Sequence, residues 1–208
     1  MNQIEINSSH NPRVKRATKL RTSRGRKQQQ RILIEGAREL LRAVEAGVQV
    51  EEVFFEAQQP LQGEAAAVVA RLPESVELLA TAADVWDKLA VRGRDARLLA
   101  VARPPSLDLD RIQLHGDSPL VLVVESVEKP GNLGALLRTA DAAGVSAVLV
   151  ADPACDVHNP NCIRASLGAV FTLPVAVCSA VAQQRGRESK RHQRDGRPVR
   201  ASNFCGLR

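Results

Sequence analysis

Tyrosine is absent from this chain, tryptophan and methionine each occur once, and aromatic side chains make up 2% of 208 residues. A surface that gains specificity by stacking rings on bases is therefore not expected. No stretch approaches the roughly 18 consecutive apolar residues of a membrane span. The opening MNQIEINSSHNPRVKR has no apolar core of the signal-peptide kind. Four cysteines, Cys155, Cys162, Cys178 and Cys205, lack disulfide-scaffold spacing and are expected to be reduced. These absences argue against membrane and disulfide-stapled secreted proteins and favour a cytoplasmic one. Cys155, His158 and Cys162 lie close together without a nearby fourth ligand, so no metal site is expected. The glycine-rich turn at 131–134 lacks a Gly-Lys-Ser/Thr ending, and the preceding residues lack GxGxxG spacing. That excludes a P-loop and a dinucleotide fingerprint.

Charge is present but unevenly placed. Residues 1–31 carry nine Lys/Arg and one Glu, a net +8, whereas residues 32–177 carry twelve basic and twenty acidic side chains, a net −8. Residues 178–208 carry eight basic and two acidic side chains, a net +6. A basic block on a globular protein suits a polyanion, because each neutralised phosphate releases counterions. The alternative is a solvated, partly disordered arm. The basic side chains on offer are Arg13, Lys15, Arg16, Lys19, Arg21, Arg24, Arg26 and Lys27, with Arg164 further on.

Periodicity gives an α/β chain. Asn11-Pro12 opens a basic amphipathic helix with Val14, Ala17 and Leu20 on one face. Strands are expected at 31–34, 50–55, 76–79 and 98–102, alternating with helices at 37–46, 64–71 and 82–89. Residues 1–103 therefore read as a small α/β domain with a basic N-terminal arm. Residues 104–119 read as a linker by composition. From 120 to 177 the pattern is a strand at 120–124, a helix at 132–143, a strand at 147–150, a helix at 161–170 and a strand at 173–177. This is a parallel βαβ unit and half of a doubly wound domain. Asn132 suits the N-cap of its helix and Gly144 the C′ position. Residues 178–208 lack apolar periodicity and are expected to be disordered.

The stretch VVESVEKPGNLGALLRTADAAGV, residues 123–145, delivers polar residues to the carboxyl end of a strand, where open parallel sheets bind ligands. Pro130-Gly131-Asn132-Leu133-Gly134 through Arg138-Thr139-Ala140 resembles the first motif of the SpoU (TrmH-type) RNA 2′-O-ribose methyltransferases, within the SPOUT class. Arg164-Ala-Ser-Leu-Gly-Ala-Val-Phe171 followed by Leu173-Pro-Val175 resembles the family's next segment. Asn11-Pro-Arg-Val-Lys15, Lys19-Leu-Arg21 and Leu33-Ile-Glu-Gly36 with Arg38-Glu-Leu40 are similar to the small RNA-binding domain that precedes it.

The resemblance implies methyl transfer from S-adenosylmethionine to a ribose 2′-hydroxyl of ribosomal or transfer RNA. It implies that Asn132 and Arg138 lie in the active site, with Glu125 a further candidate there. It also implies a homodimer and a parallel sheet that is normally trefoil-knotted. The family's cofactor and dimer-forming motifs do not follow Val177, so the expectation is an incomplete SPOUT-type domain, from truncation or frameshift, that binds S-adenosylmethionine poorly. The alternative is a non-catalytic RNA-binding protein derived from the same family.

Overall fold

The computed structural model describes residues 3–90, 96–114 and 117–179; the tail expected to be disordered lies outside these from residue 180 on. Two sheets organise the chain. The first draws on β1 (Gln3–Ile6), β2 (Ile32–Glu35), β3 (Val50–Glu56), β4 (Glu77–Thr81) and β5 (Leu99–Ala102), in the order β1-β4-β3-β5-β2. β1 and β3 run parallel to β4, while β5 pairs antiparallel with both β3 and β2. The helices are α1 (Pro12–Lys19), α2 (Ser23–Gln29), α3 (Ala37–Glu45), α4 (Gly63–Val69) and α5 (Ala83–Leu89).

Successive strand residues point to opposite faces, and the core divides accordingly. Leu33, Phe54, Leu79 and Leu99 join Val14 and Ala17 of α1, Leu20 at its C-cap, and Trp86 and Leu89 of α5 on one face. Ile32, Ile34, Val53, Phe55, Leu78 and Ala100 point to the other, against Leu40 and Ala43 of α3 and Ala65 and Val68 of α4. Burial on both faces explains why Ile32–Ile34 and LAVA read as unbroken apolar runs rather than alternating ones.

The second sheet is parallel, in the order β6 (Val121–Glu125), β7 (Ala147–Ala151) and β8 (Val175–Cys178). Helix α6 (Pro130–Ala142) connects β6 to β7, and α7 (Pro160–Ala165) and α8 (Ala169–Thr172) connect β7 to β8. Leu133 and Leu137 of α6, Val148 and Val150 of β7, Ile163 and Phe171 belong to the same buried cluster as Ile32, Ile34 and Leu40. The two sheets therefore share one core. Gly134 allows α6 and α7 to touch: a Cβ there would lie 2.5 Å from the Cys162 carbonyl oxygen and 2.7 Å from the Ala165 Cβ. The end of α6 is closed by Gly144 at φ +67°, whose N–H donates to Asp141 while the Val145 N–H donates to Ala140, a Schellman pair.

Four expectations change. Asn132 is not the N-cap of α6: Lys129 holds that position, and Pro130 starts the helix earlier because its fixed φ suits N1. The helix expected over 161–170 is two short helices, broken where Leu167 and Gly168 take positive φ, +52° and +81°. The basic block is not a loose arm but α1 and α2 seated on the first sheet, anchored by Val14, Ala17 and Leu20. The stretch 104–119 carries a 3-10 turn, Leu109–Arg111, whose Leu109 packs with Ile112 on Ala147, Leu149 and Ala176. The Val177 N–H donates to the Leu107 carbonyl at 2.9 Å, so this strap also covers part of the outer edge of β8.

Candidate functional site

β6 and β7 end side by side, and the chain leaves both in the same unusual way. The Ser126 N–H donates to the Ala151 carbonyl at 3.1 Å, and the Asp152 N–H to the Cys178 carbonyl at 2.9 Å. Each of these residues then turns through positive φ, +52° for Ser126 and +41° for Asp152. A left-handed backbone costs a non-glycine residue on the order of 1 kcal/mol or more, and such strain collects at functional sites. No sequence signal marked either residue.

Glu125 ends β6 with an exposed side chain, and Asn132 lies in the first turn of α6, also exposed. The backbone N–H of Asn132 donates to the Lys129 carbonyl at 3.0 Å, so its side chain is not used in capping. Arg138 is exposed, and among the described residues no bond engages the side chain of Asn132 or Arg138. They are six positions apart, about 9 Å of helical rise and roughly 120° of rotation. They share the broad solvent face of α6 without touching, a spacing that suits two different groups of one nucleotide. Leu136, 39% exposed, lies on this face as well.

The basic candidates sort by partner. Arg13 is held by Glu77 at 2.5 and 3.0 Å and by Glu52 at 2.9 Å. Its guanidinium holds the Glu77 carboxyl below the usual range, while burial pushes Glu52 up against the pull of Arg13 and Arg16. Arg21 caps the end of α5 through the Lys88 and Leu89 carbonyls. Arg26 is buried, with its Nε 2.7 Å from Asp156. Arg16 reaches Glu52 only at 3.4 Å and stays open, as do Lys15, Lys19, Arg24 and Lys27. Arg24 and Lys27, with Ser23 and Gln28, line a shallow open groove on α2. Arg164 is half-buried in the last turn of α7. The basic block thus splits into structural arginines and a free cationic face on α1 and α2. All four described phenylalanine and tryptophan side chains are buried, so that face contains no ring.

Cys162 is buried, and burial first of all pushes its thiol up to about 12, which leaves it protonated and inert. His158 is buried too, and desolvation together with Arg26 pulls it down to about 4 despite the opposing pull of Asp156.

These features define an α/β protein with a solvent-facing polar site at the carboxyl end of a parallel sheet and a cationic two-helix face on the preceding sheet. Residues 119–191 match the SpoU rRNA Methylase family, and residues 11–100 match the MRM3-like substrate binding domain. A crystal structure of an RNA 2′-O ribose methyltransferase is 41% identical, covering 91% of this chain and 70% of that one, with a TM-score of 0.76. The SpoU methyltransferase AviRb of Streptomyces viridochromogenes, solved in complex with AdoMet, is 28% identical, covering 88% of this chain and 69% of that one, with a TM-score of 0.75. The 23S rRNA (uridine(2479)-2′-O)-methyltransferase of the same species is 33% identical over 68% of this chain and 49% of its own length. The Bacillus subtilis 23S rRNA (guanosine(2553)-2′-O)-methyltransferase RlmP is 29% identical over 84% of this chain and 64% of its own length. The chain belongs to the SpoU methylase family, and it spans about half to two thirds of the length of these two rRNA methyltransferases.

A cofactor such as AdoMet needs an enclosed, mainly apolar slot. Glu125, Ser126, Glu128 and Asn132 at the strand end all face solvent and do not by themselves form such a slot. Their carboxylates, hydroxyl and amide suit a ribose hydroxyl, which can both donate and accept.

Proposed function

We propose that this protein acts in RNA 2′-O-ribose methylation, with S-adenosylmethionine as methyl donor and ribosomal or transfer RNA as substrate. Residues 1–103 serve as the RNA-binding unit, 104–119 as the connection, and 120–177 as the start of the methyltransferase domain. The observation that carries this reading is the pair of unpartnered side chains, Asn132 and Arg138, on the open face of α6, the helix that starts at the carboxyl end of β6.

The chemistry sets what these groups do. The 2′-hydroxyl must lose its proton as it attacks a methyl group. Arginine stays protonated, with a pKa above roughly 12, so Arg138 does not take that proton. Its planar fork holds a phosphate or ribose oxygen instead, bidentately where two oxygens present themselves. The Asn132 amide orients the hydroxyl, and the carboxylate of Glu125, which ends β6, is the acceptor for its proton. RNA arrives on Lys15, Arg16, Lys19, Arg24 and Lys27, with Arg164 as a further contact. A homodimer, as the family resemblance implies, belongs to the same reading. So does a cytoplasmic setting, in which the thiols stay reduced.

The test is transfer of labelled methyl from S-adenosylmethionine to RNA, followed by nuclease digestion to locate the label on the ribose. Arg138→Lys keeps the charge but loses the fork, and Asn132→Ala loses the amide. Each is expected to lower the rate by about a hundredfold. Unchanged rates in both variants remove these residues from the site. The open strand end favours a second reading, RNA binding without catalysis. It predicts salt-sensitive RNA binding with no label transferred.

A further inference from the structure

Arg26 sits in α2 between the exposed Arg24 and Lys27, yet only 4% of its surface reaches solvent. Its Nε and Nη2 meet one carboxylate oxygen of Asp156 at 2.7 and 2.6 Å, and its Nη1 donates to the Leu20 and Arg21 carbonyls at 2.8 and 3.1 Å. The other Asp156 oxygen accepts the His158 N–H at 2.9 Å, and the Asp156 carbonyl accepts the Asn159 N–H at 3.0 Å. The Asn159 side chain then caps α7 by accepting from the Asn161 N–H. One carboxylate thus ties the cationic helix to the loop that leaves the carboxyl end of β7. That loop starts α7, which lies against α6 at Gly134. The path from Arg24 and Lys27 to Asn132 and Arg138 runs through this junction, 130 residues apart in sequence between Arg26 and Asp156.

The junction is not needed merely to hold the two sheets together. A second ion pair joins the two bodies, Arg42 Nη2 to Asp141 Oδ2 at 2.7 Å, and it belongs to α3 rather than to the cationic face. The shared apolar cluster holds them as well.

We infer that Asp156 is a positioning residue: it fixes the cationic face of α2 relative to α6, so that RNA held by Arg24 and Lys27 is presented to Asn132 and Arg138. This rests on the RNA reading above. It assigns Asp156 no contact with substrate. Its effect on the reacting nucleotide passes through Arg26.

The experiment uses the full chain with a photo-crosslinking residue at position 136 and end-labelled fragments of ribosomal RNA. Binding and crosslink yield per bound RNA are measured separately. Two variants are compared with the parent: Asp156→Asn, and the double change Arg26→Met with Asp156→Leu, which removes both charges of a buried pair and so avoids stranding one of them. Both should bind RNA within about twofold of the parent, because the exposed phosphate-binding cations are untouched. The crosslink yield per bound RNA should fall about tenfold or more, because a small misplacement is costly to a positioned nucleotide. Undiminished crosslinking in either folded variant overturns the inference. So does failure of both variants to fold, since the pair is then structural. A parent that binds RNA but does not crosslink at position 136 sinks the inference and leaves the RNA reading standing. A parent that does not bind RNA sinks both.

Discussion

The two sheets bury themselves by different means. The first has helices on both faces, and its strands β2 and β5 are buried end to end. The second has helices on one face and, among the described residues, a strap on the other, Leu109 and Ile112 over Ala147, Leu149 and Ala176. Its edge strand β6 buries only Val124, and Leu120, Val123 and Leu136 stay exposed. The positive-φ strand ends, the open asparagine and the open arginine all belong to this second sheet. The first sheet supplies packing, and the second spends some of that stability on an open, strained edge. What keeps the second in place is the cluster it shares with the first through α3, α7 and α8.

The largest test of this contrast is Phe54→Ala. Phe54 is fully buried on the first sheet, and its loss should cost about 3–5 kcal/mol, whereas Val123→Ala on the exposed edge of the second should cost less than about 1 kcal/mol. Denaturant titration followed by Trp86 fluorescence and by far-ultraviolet circular dichroism should give one coincident transition, because the core is common. Two separated transitions would break the shared-core account and make the sheets independent.

The next effect comes from acid. His158 is 6% exposed and titrates at about 4 in the fold, against 6.5 for the ordinary side chain, because it is desolvated and lies near Arg26. The unfolded chain takes up a proton between these values and the folded chain does not. Stability is therefore full above about pH 6.5, falls as pH drops toward 4, and levels off below it. At roughly 1.4 kcal/mol per pKa unit the loss is on the order of 3 kcal/mol. Carboxylates titrate in the same range, so the measured quantity is the difference between the parent and His158→Gln. A difference that does not change between pH 7 and pH 4 would show that His158 is hydrated in solution.

Gly134→Ala probes the second body alone. The added methyl meets the Cys162 carbonyl at 2.5 Å, too close to survive unless α6 or α7 moves. Overpacking of this kind costs about 1–3 kcal/mol. Gly131→Ala, three residues earlier with nothing within 4 Å, is the control and should have little effect. Equal losses at the two positions would mean that α6 and α7 do not meet as described.

Much of this contrast is legible from sequence, because local rules and tertiary packing agree. Asn11-Pro12 with Val14, Ala17 and Leu20 is a helix start with one apolar face, and that face is buried. Gly144 ends α6 where a left-handed residue is required. The misses have specific causes. Pro130-Gly131 reads as a turn, but proline at N1 lets α6 begin there and moves Asn132 off the cap. SRGRKQQ has no apolar period, and α2 forms around the Thr22 cap and a buried Arg26 instead. Ser126 and Asp152 are ordinary residues in positive-φ positions that the ladder imposes. Which arginines are free was not legible at all, because their partners Glu52, Glu77 and Asp156 lie from 36 to 130 residues away in sequence.

The smallest effect on stability belongs to the surface that matters most for RNA. Lys15, Lys19, Arg24 and Lys27 are exposed on α1 and α2. Alanine at each should change stability by less than about 0.5 kcal/mol. Removing one of these charges should reduce the slope of log affinity against log salt by about 0.9 if its phosphate lies in a duplex, and by about 0.7 if it lies in a single strand. Arg13→Ala should do the opposite, weakening the fold by leaving the part-buried Glu52 only its longer Arg16 contact while leaving the salt slope alone. If Arg13→Ala lowers the salt slope as much as Lys27→Ala does, then Arg13 gives up its glutamates to bind RNA. The division into structural and phosphate-facing cations would then be wrong at its clearest member.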